Sequence, residues 1–165
     1  MKLNEKDELV SVIPCGEKDN ILLATRLGKA IRFDVHDVRV FVGRGSSGVR
    51  GIKLKPNDFV VSMSLIPNEE KRFVLSVTEN GFGKRTPIDD YRMTNRGGQG
   101  VANIECSTRN GPVVASYVAS EDDQIMLVTN SGKLIRIRVH GGEGDSIRVA
   151  GCLLYTSDAA DDTLW

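Results

Sequence analysis

The residues best suited to chemistry in this chain are arginines set in glycine-rich loops. Arg44-Gly45-Ser46-Ser47-Gly48-Val49-Arg50-Gly51 and Arg96-Gly97-Gly98-Gln99-Gly100-Val101 share one layout: an Arg, a Gly-rich segment, then a Gly-Val step into the next strand. Glycine permits tight curvature and lets backbone amides come close to an anion. Arginine adds a planar fork that matches phosphate. Such loops can hold a sugar-phosphate backbone without reading bases. A turn-rich β-fold also needs Gly at Gly45, Gly51, Gly97 and Gly98, so the loops alone leave both readings open. More bases follow the Gly-Lys turns. Lys29 with Arg32, Lys84 with Arg85, and Lys133 with Arg136 and Arg138 read as recurring at matching places. In Leu134-Ile135-Arg136-Ile137-Arg138, strict alternation puts both Arg side chains on one face of a strand. One such charge is ordinary solvated surface, whereas a repeated set forms a basic track for a polyanion.

Catalytic and metal-binding patterns are not found. His36 and His140 have no Cys near them in sequence, and HExxH, GxSxG and P-loop spacings are missing. Asp89-Asp90 reads as a turn or cap, and nothing marks Asp161-Asp162 as metal ligands. Tyr91, Tyr117 and Tyr155 lack an activating base, and Tyr91 reads instead as an aromatic anchor under the second loop. Cys15, Cys106 and Cys152 form no CxxC pair; Cys15 and Cys106 read as small buried thiols in a reducing, cytoplasmic setting. No apolar run approaches the roughly 18 residues of a membrane helix, and the first residues have no signal-peptide core.

The elements that must position these loops repeat about every fifty residues, which points to propeller blades or a β-array. Each unit opens with an apolar run, turns at Gly and Lys, adds a short strand, passes through a Gly/Arg loop and closes with another strand. The 165 residues hold 17 Gly and 40% hydrophobic residues, enough for one all-β, turn-rich domain. Short β-branched runs predict strands at 21–25, 30–34, 51–54, 59–64, 73–77, 84–87, 100–104, 113–118, 124–129 and 134–138. Asn80-Gly81 and Asn130-Ser131-Gly132 predict hairpin turns, where Asn and Gly tolerate positive φ. Helical turns are expected at 35–39 and 87–91, the second because Pro87 suits a first helical position. Residues 7–12 read as the closing strand of a preceding unit. The chain therefore holds the end of one unit, two whole units and the start of another.

Lysine and arginine number 22, as do aspartate and glutamate, so the net charge is zero. The distribution is uneven: acids gather at 68–70, 121–123 and the last residues, bases in the loops and after the turns. The repeat pattern holds to Gly151. Residues 152–165 then carry the single Trp, three Asp and no base. They resemble translated adaptor or vector sequence, to be left out of fold reasoning; the other reading is a genuine acidic tail that competes with DNA. Without those three Asp the remainder is net +3. The expected division is a folded part at 1–151 and a disordered non-native tail at 152–165.

Four stretches carry a resemblance to a known family: Gly48-Val49-Arg50-Gly51-Ile52-Lys53-Leu54, Val77-Thr78-Glu79-Asn80-Gly81-Phe82-Gly83-Lys84-Arg85-Thr86, Gly98-Gln99-Gly100-Val101 and Asp123-Gln124-Ile125-Met126-Leu127-Val128-Thr129. Together they resemble the C-terminal domain of DNA gyrase A, from about Leu3 to Gly151. The resemblance implies an all-β, six-bladed β-pinwheel, a propeller variant whose neighbouring blades exchange strands, present here as roughly two complete blades plus parts of two others. It implies that the basic perimeter wraps duplex DNA in support of ATP-dependent negative supercoiling by a type II topoisomerase. The expected DNA contacts are Arg44, Arg50, Lys53, Lys84, Arg85, Arg96, Lys133, Arg136 and Arg138. The implied partners are gyrase B and the rest of gyrase A in an A2B2 holoenzyme. ATP and Mg belong to gyrase B and the catalytic core, and no cofactor is expected in this stretch. None of the chain matches the catalytic-tyrosine region. Asn95-Arg96-Gly97-Gly98-Gln99-Gly100 resembles a degenerate copy of the family's Gln-Arg-Arg-Gly-Gly-Lys-Gly box, with Asn for an Arg and Gln for the Lys. It is therefore expected to contribute to wrapping without being the box itself. The alternatives are the corresponding domain of topoisomerase IV and a propeller used as an interaction scaffold.

Overall fold

A computed structural model describes residues 3, 5, 7–43, 45–67, 72–130 and 132–139. Arg44 and the segment 152–165 lie outside these residues. The described chain is all-β, with two single-turn 3-10 segments at Val35–Asp37 and Ile88–Asp90, where helical turns were expected.

The first hairpin joins β1 (Asn20–Thr25) to β2 (Lys29–Asp34). Its turn needs Gly28, which has φ +78° and packs so tightly that a Cβ would overlap the Ile104 carbonyl oxygen. Thr25 closes the turn by accepting the Lys29 N–H on its hydroxyl at 3.2 Å. β3 (Val60–Ile66) returns antiparallel along β1, with an irregularity between Ala24 and Thr25. The second unit repeats this at an offset of 53 residues. β4 (Phe73–Thr78) pairs β5 (Gly83–Pro87) and, later, β7 (Val113–Ala119). Asn20↔Ile66 becomes Phe73↔Ala119, and the irregularity recurs between Val77 and Thr78. A third hairpin, β8 (Gln124–Val128) with β9 (Leu134–Arg138), is offset by a further 51 residues, from Phe73 to Gln124.

β6 (Val101–Ala102) belongs to the second unit by sequence but pairs with β2 of the first, completing the order β3-β1-β2-β6. The units are thus sealed by strand exchange. Gly100 makes this possible: its φ is +70°, and a Cβ there would lie 2.5 Å from the Ala30 carbonyl oxygen.

The three sheets stack face to face. Leu22, Ala24, Ala30 and Ile66 of the first sheet meet Val74, Ile88 and Tyr91 of the second unit. Leu75 and Val77 on the opposite face of β4 meet Ile125, Leu127, Ile135 and Ile137 of the third hairpin. This explains why β4 reads as a near-continuous apolar run: it is covered on both faces. β8 and β9 alternate because one of their faces is covered. β3 packs along β7, whereas β2 and β5 make no comparable approach. The β3 and β7 edges are therefore the inner side of the stack, and β2, β5 and β6 lie toward its rim.

Five expectations are corrected. Residues 7–12 and 51–54 form no strand, and 100–104 shrinks to Val101–Ala102. For 51–54 the reason is its neighbour: Lys53 N–H donates to Gly98 O at 2.8 Å, a loop rather than a strand. In the Asn80-Gly81 turn only Gly81 has positive φ; the Asn80 amide instead donates to the carbonyls of Thr108 and Arg109. Cys15 is exposed and Cys106 half-buried, so neither is a buried thiol.

Candidate nucleic-acid interface

The second Gly/Arg loop folds onto the first unit. Arg96 donates from Nε to the Asp37 carbonyl at 2.7 Å and from Nη1 to the Arg50 carbonyl at 3.1 Å. The Gly97 N–H donates to Gly51 O, and Gly97 holds φ +81° to do so. Backbone amides that could have cradled an anion are thus partly used inside the fold. What the loop achieves is positional: it clamps the segment 50–53 as a ledge from which Arg50 and Lys53 face solvent. The structure brings Arg50, Lys53 and Arg96 together, with Arg96 half-buried as the brace. In the first loop, Gly48 repeats the positive φ of Gly100, at +76°.

The strand arginines are placed differently. Pairing registers align Arg32, Arg85 and Arg136 at one position of the three hairpins. Arg32 donates from Nη1 to the carbonyls of Ile88 and Tyr91, at 3.3 and 3.4 Å. Arg85 donates from Nη1 to the Val139 carbonyl at 3.4 Å, and its guanidinium lies 4.5 Å from the Phe73 ring centre. Each reaches from its own unit to the next. Arg136 is exposed on β9 and shares a face with Arg138 and Leu134, as alternation requires.

Register also corrects the matching of lysines. Lys84 stands opposite Ser76 as Ile31 stands opposite Leu23, so it does not correspond to Lys29 or Lys133. Lys29 and Lys133 directly follow their turn glycines, Gly28 and Gly132, whereas Lys84 comes three residues after Gly81, with Phe82 in the matching place. Lys84 lines a cleft with Phe82, Asn103, Ile104 and Glu105, while Lys133 sits in the last hairpin turn, where its carbonyl accepts the Thr129 N–H.

Two features escaped the sequence reading. One is a buried polar knot: the Asn103 Oδ1 accepts from the Tyr91 hydroxyl at 2.6 Å and the Ser76 hydroxyl at 3.0 Å. Its Nδ2 donates to Ser116 Oγ at 3.2 Å. Tyr91 is indeed an anchor, and its burial pushes the phenol up to about 12. The other is the exposed pair Arg39 and Arg92, each just beyond its 3-10 turn and separated by the same 53-residue offset. A register drawn across the two units from Gly28/Gly81 would have found them.

Among the described residues the titratable groups that shift are structural in their settings. Asp34 is held below the usual carboxylate range by the His36 backbone N–H and, at 2.8 Å, by the His36 ring. Asp123 is lowered in the same way by Ser120, and burial raises the Cys106 thiol. No cluster of His, Cys, Asp or Glu that could hold a metal occurs among the described residues. No helix there is long and apolar enough to cross a membrane.

Repeated antiparallel sheets, stacked face to face and sealed by an exchanged strand, define a propeller-type domain with basic loops along its rim. The chain belongs to the DNA gyrase C-terminal domain, beta-propeller family, whose model matches residues 1–16, 19–67, 72–111 and 123–141. The DNA gyrase A protein of Rickettsia conorii is 36% identical over 204 aligned positions, covering 96% of this chain and 22% of the relative. Its counterpart from Klebsiella oxytoca is 45% identical over 139 positions, covering 84% of the chain and 16% of the relative. Among solved structures, a DNA gyrase A C-terminal domain superposes with a TM-score of 0.76 at 32% identity, covering 90% of this chain and 52% of that one. The C-terminal domain of DNA topoisomerase IV gives 0.77 at 21% identity, covering 99% and 57%, a likeness of fold. The chain thus spans about a fifth of the length of these curated relatives. The all-β propeller expectation is borne out by these matches.

Proposed function

We propose that this chain binds duplex DNA through phosphate contacts, as part of the gyrase A component of a type II topoisomerase. The observation that carries the reading is the ledge formed where the second Gly/Arg loop grips the first unit, holding Arg50 and Lys53 outward in a chain of this family. Guanidinium and ammonium groups on a rigid rim position a sugar-phosphate backbone without reading its sequence. In the enzyme, such a surface would wrap DNA and present a crossing segment to the catalytic core. ATP and Mg would act on gyrase B and that core, in an A2B2 assembly in the bacterial cytoplasm. Arg44, Lys84, Lys133, Arg136 and Arg138 remain proposed contacts, while Arg85 and Arg96 contribute through the scaffold that their hydrogen bonds hold. Greater identity to gyrase A than to topoisomerase IV, 32% against 21%, favours the former.

The test is duplex binding by fluorescence anisotropy across a salt series. The expected result is a log affinity falling by about 0.9 log[salt] for each phosphate neutralised. Binding that is absent, or indifferent to salt, would leave the interaction-scaffold reading in its place.

A further inference from the structure

Arginines recur at equivalent described places in the first two units as two pairs, and the pairs do opposite things. Arg32 and Arg85 spend their guanidiniums on carbonyls of the following unit, and the Arg32 Nε is buried without a partner. Arg39 and Arg92 are exposed, and among the described residues neither forms an ion pair. Other residues shared by the two units have visible internal tasks. Leu22 and Leu75 fill the core; Thr25 and Thr78 close hairpin turns; Gly28 and Gly81 hold positive φ. Arg39 and Arg92 have no task of this kind.

From this contrast we infer that Arg39 and Arg92 are the repeating phosphate contacts of the rim, one per unit, and that Arg32 and Arg85 are rivets between units that never touch DNA. The inference rests on the DNA-binding reading above and goes beyond it in assigning residues. Position supports it. Each of the two follows a rim strand, β2 or β5, through a single 3-10 turn. Arg96 donates to the Asp37 carbonyl, two residues before Arg39, and to the Arg50 carbonyl, so one brace serves Arg39 and Arg50. The Arg39 guanidinium lies 5.2 Å from the Phe41 ring centre, which orients the fork while leaving its edge for a phosphate. Asp37 and Asp90 each precede their arginine by two residues, and the absence of an ion pair to either leaves both guanidiniums available.

The deciding experiment measures duplex affinity against salt for the whole chain, for R39Q/R92Q and for R32Q/R85Q, with thermal unfolding recorded in parallel. R39Q/R92Q should keep its melting temperature and lose about 1.8 from the salt slope, one phosphate per arginine. Over a fourfold rise in salt, that is about a twelve-fold smaller loss of affinity than in the parent chain. R32Q/R85Q should melt earlier while keeping the parent slope wherever it remains folded. If it does not fold, the rivet role is supported and the Arg39/Arg92 arm decides the contact alone. A parent chain that binds with salt dependence beside an R39Q/R92Q slope that is unchanged would overturn the inference and spare the DNA-binding reading. A parent chain that does not bind at all would overturn both.

Discussion

Replacing Asn103 with Ala should destabilise the fold by about 2–4 kcal/mol, and the structure says why. Asn103 is 3% exposed and Tyr91 2% exposed. The substitution removes three side-chain hydrogen bonds, but their losses are unequal. Ser76 and Ser116 still have each other, their hydroxyls being 2.8 Å apart. The Tyr91 hydroxyl loses its 2.6 Å acceptor. A buried donor left unsatisfied costs about 1–3 kcal/mol, and the vacated amide volume adds to this. Tyr91→Phe alone should cost less, about 0.5–1.5 kcal/mol, because Asn103 keeps its bond from Ser76. In the double variant there is no orphaned hydroxyl, so the two effects should fall short of additivity by about 1 kcal/mol or more. Urea unfolding followed by circular dichroism gives all four corners of this cycle. An Asn103→Ala chain within about 0.5 kcal/mol of the parent, or a strictly additive cycle, would refute the reasoning. The first unit supplies an internal control. There Gly51 stands in place of Asn103, and the paired Leu23 and Met63 in place of the paired Ser76 and Ser116. A Cβ at Gly51 would come 2.5 Å from Leu23 Cδ1, so the same seat is apolar and full.

Two further outcomes are expected. Gly100→Ala should weaken the exchanged strand by about 1–3 kcal/mol, since φ +70° and the Ala30 carbonyl both oppose a Cβ; faster amide hydrogen exchange along β6 and β2 is the readout, and unchanged protection would count against the role given to Gly100. The Tyr91 phenol ordinarily ionises near 10 and is raised to about 12 by burial. Its contribution is therefore fully present below pH 10 and is lost between 10 and 12, because the unfolded chain releases the proton first. The loss is about 1.4 kcal/mol per pH unit in that window. Comparing urea midpoints of the parent and Tyr91→Phe at pH 9 and 11.5 isolates it from lysine titration, and parallel pH profiles for the two chains would contradict it.

Much of this fold was legible along the chain. The apolar openings, the Gly turns and the spacing of about fifty residues located, among the described residues, eight of the nine strands and both 3-10 turns, because each depends on neighbours close in sequence. β6 shrank and the 51–54 segment failed as a strand because their backbone partners lie in another unit. The register of the lysines was misread because the Gly-Lys pair was aligned at Gly83-Lys84, whereas the turn glycine that matches Gly28 is Gly81; Lys84, opposite Ser76, lies two places beyond the position of Lys29.

The recurrence of arginine, and its company of glycines, was set by sequence alone, and it established an all-β repeat with a basic character despite zero net charge. Sequence could not say which arginines are free. That was decided by the stacking of the units, which carries the Arg32 and Arg85 guanidiniums onto carbonyls more than fifty residues away and leaves Arg39 and Arg92 on the rim. A guanidinium is suited to phosphates and carbonyl oxygens alike; only the packed structure determines which of them lies within its reach.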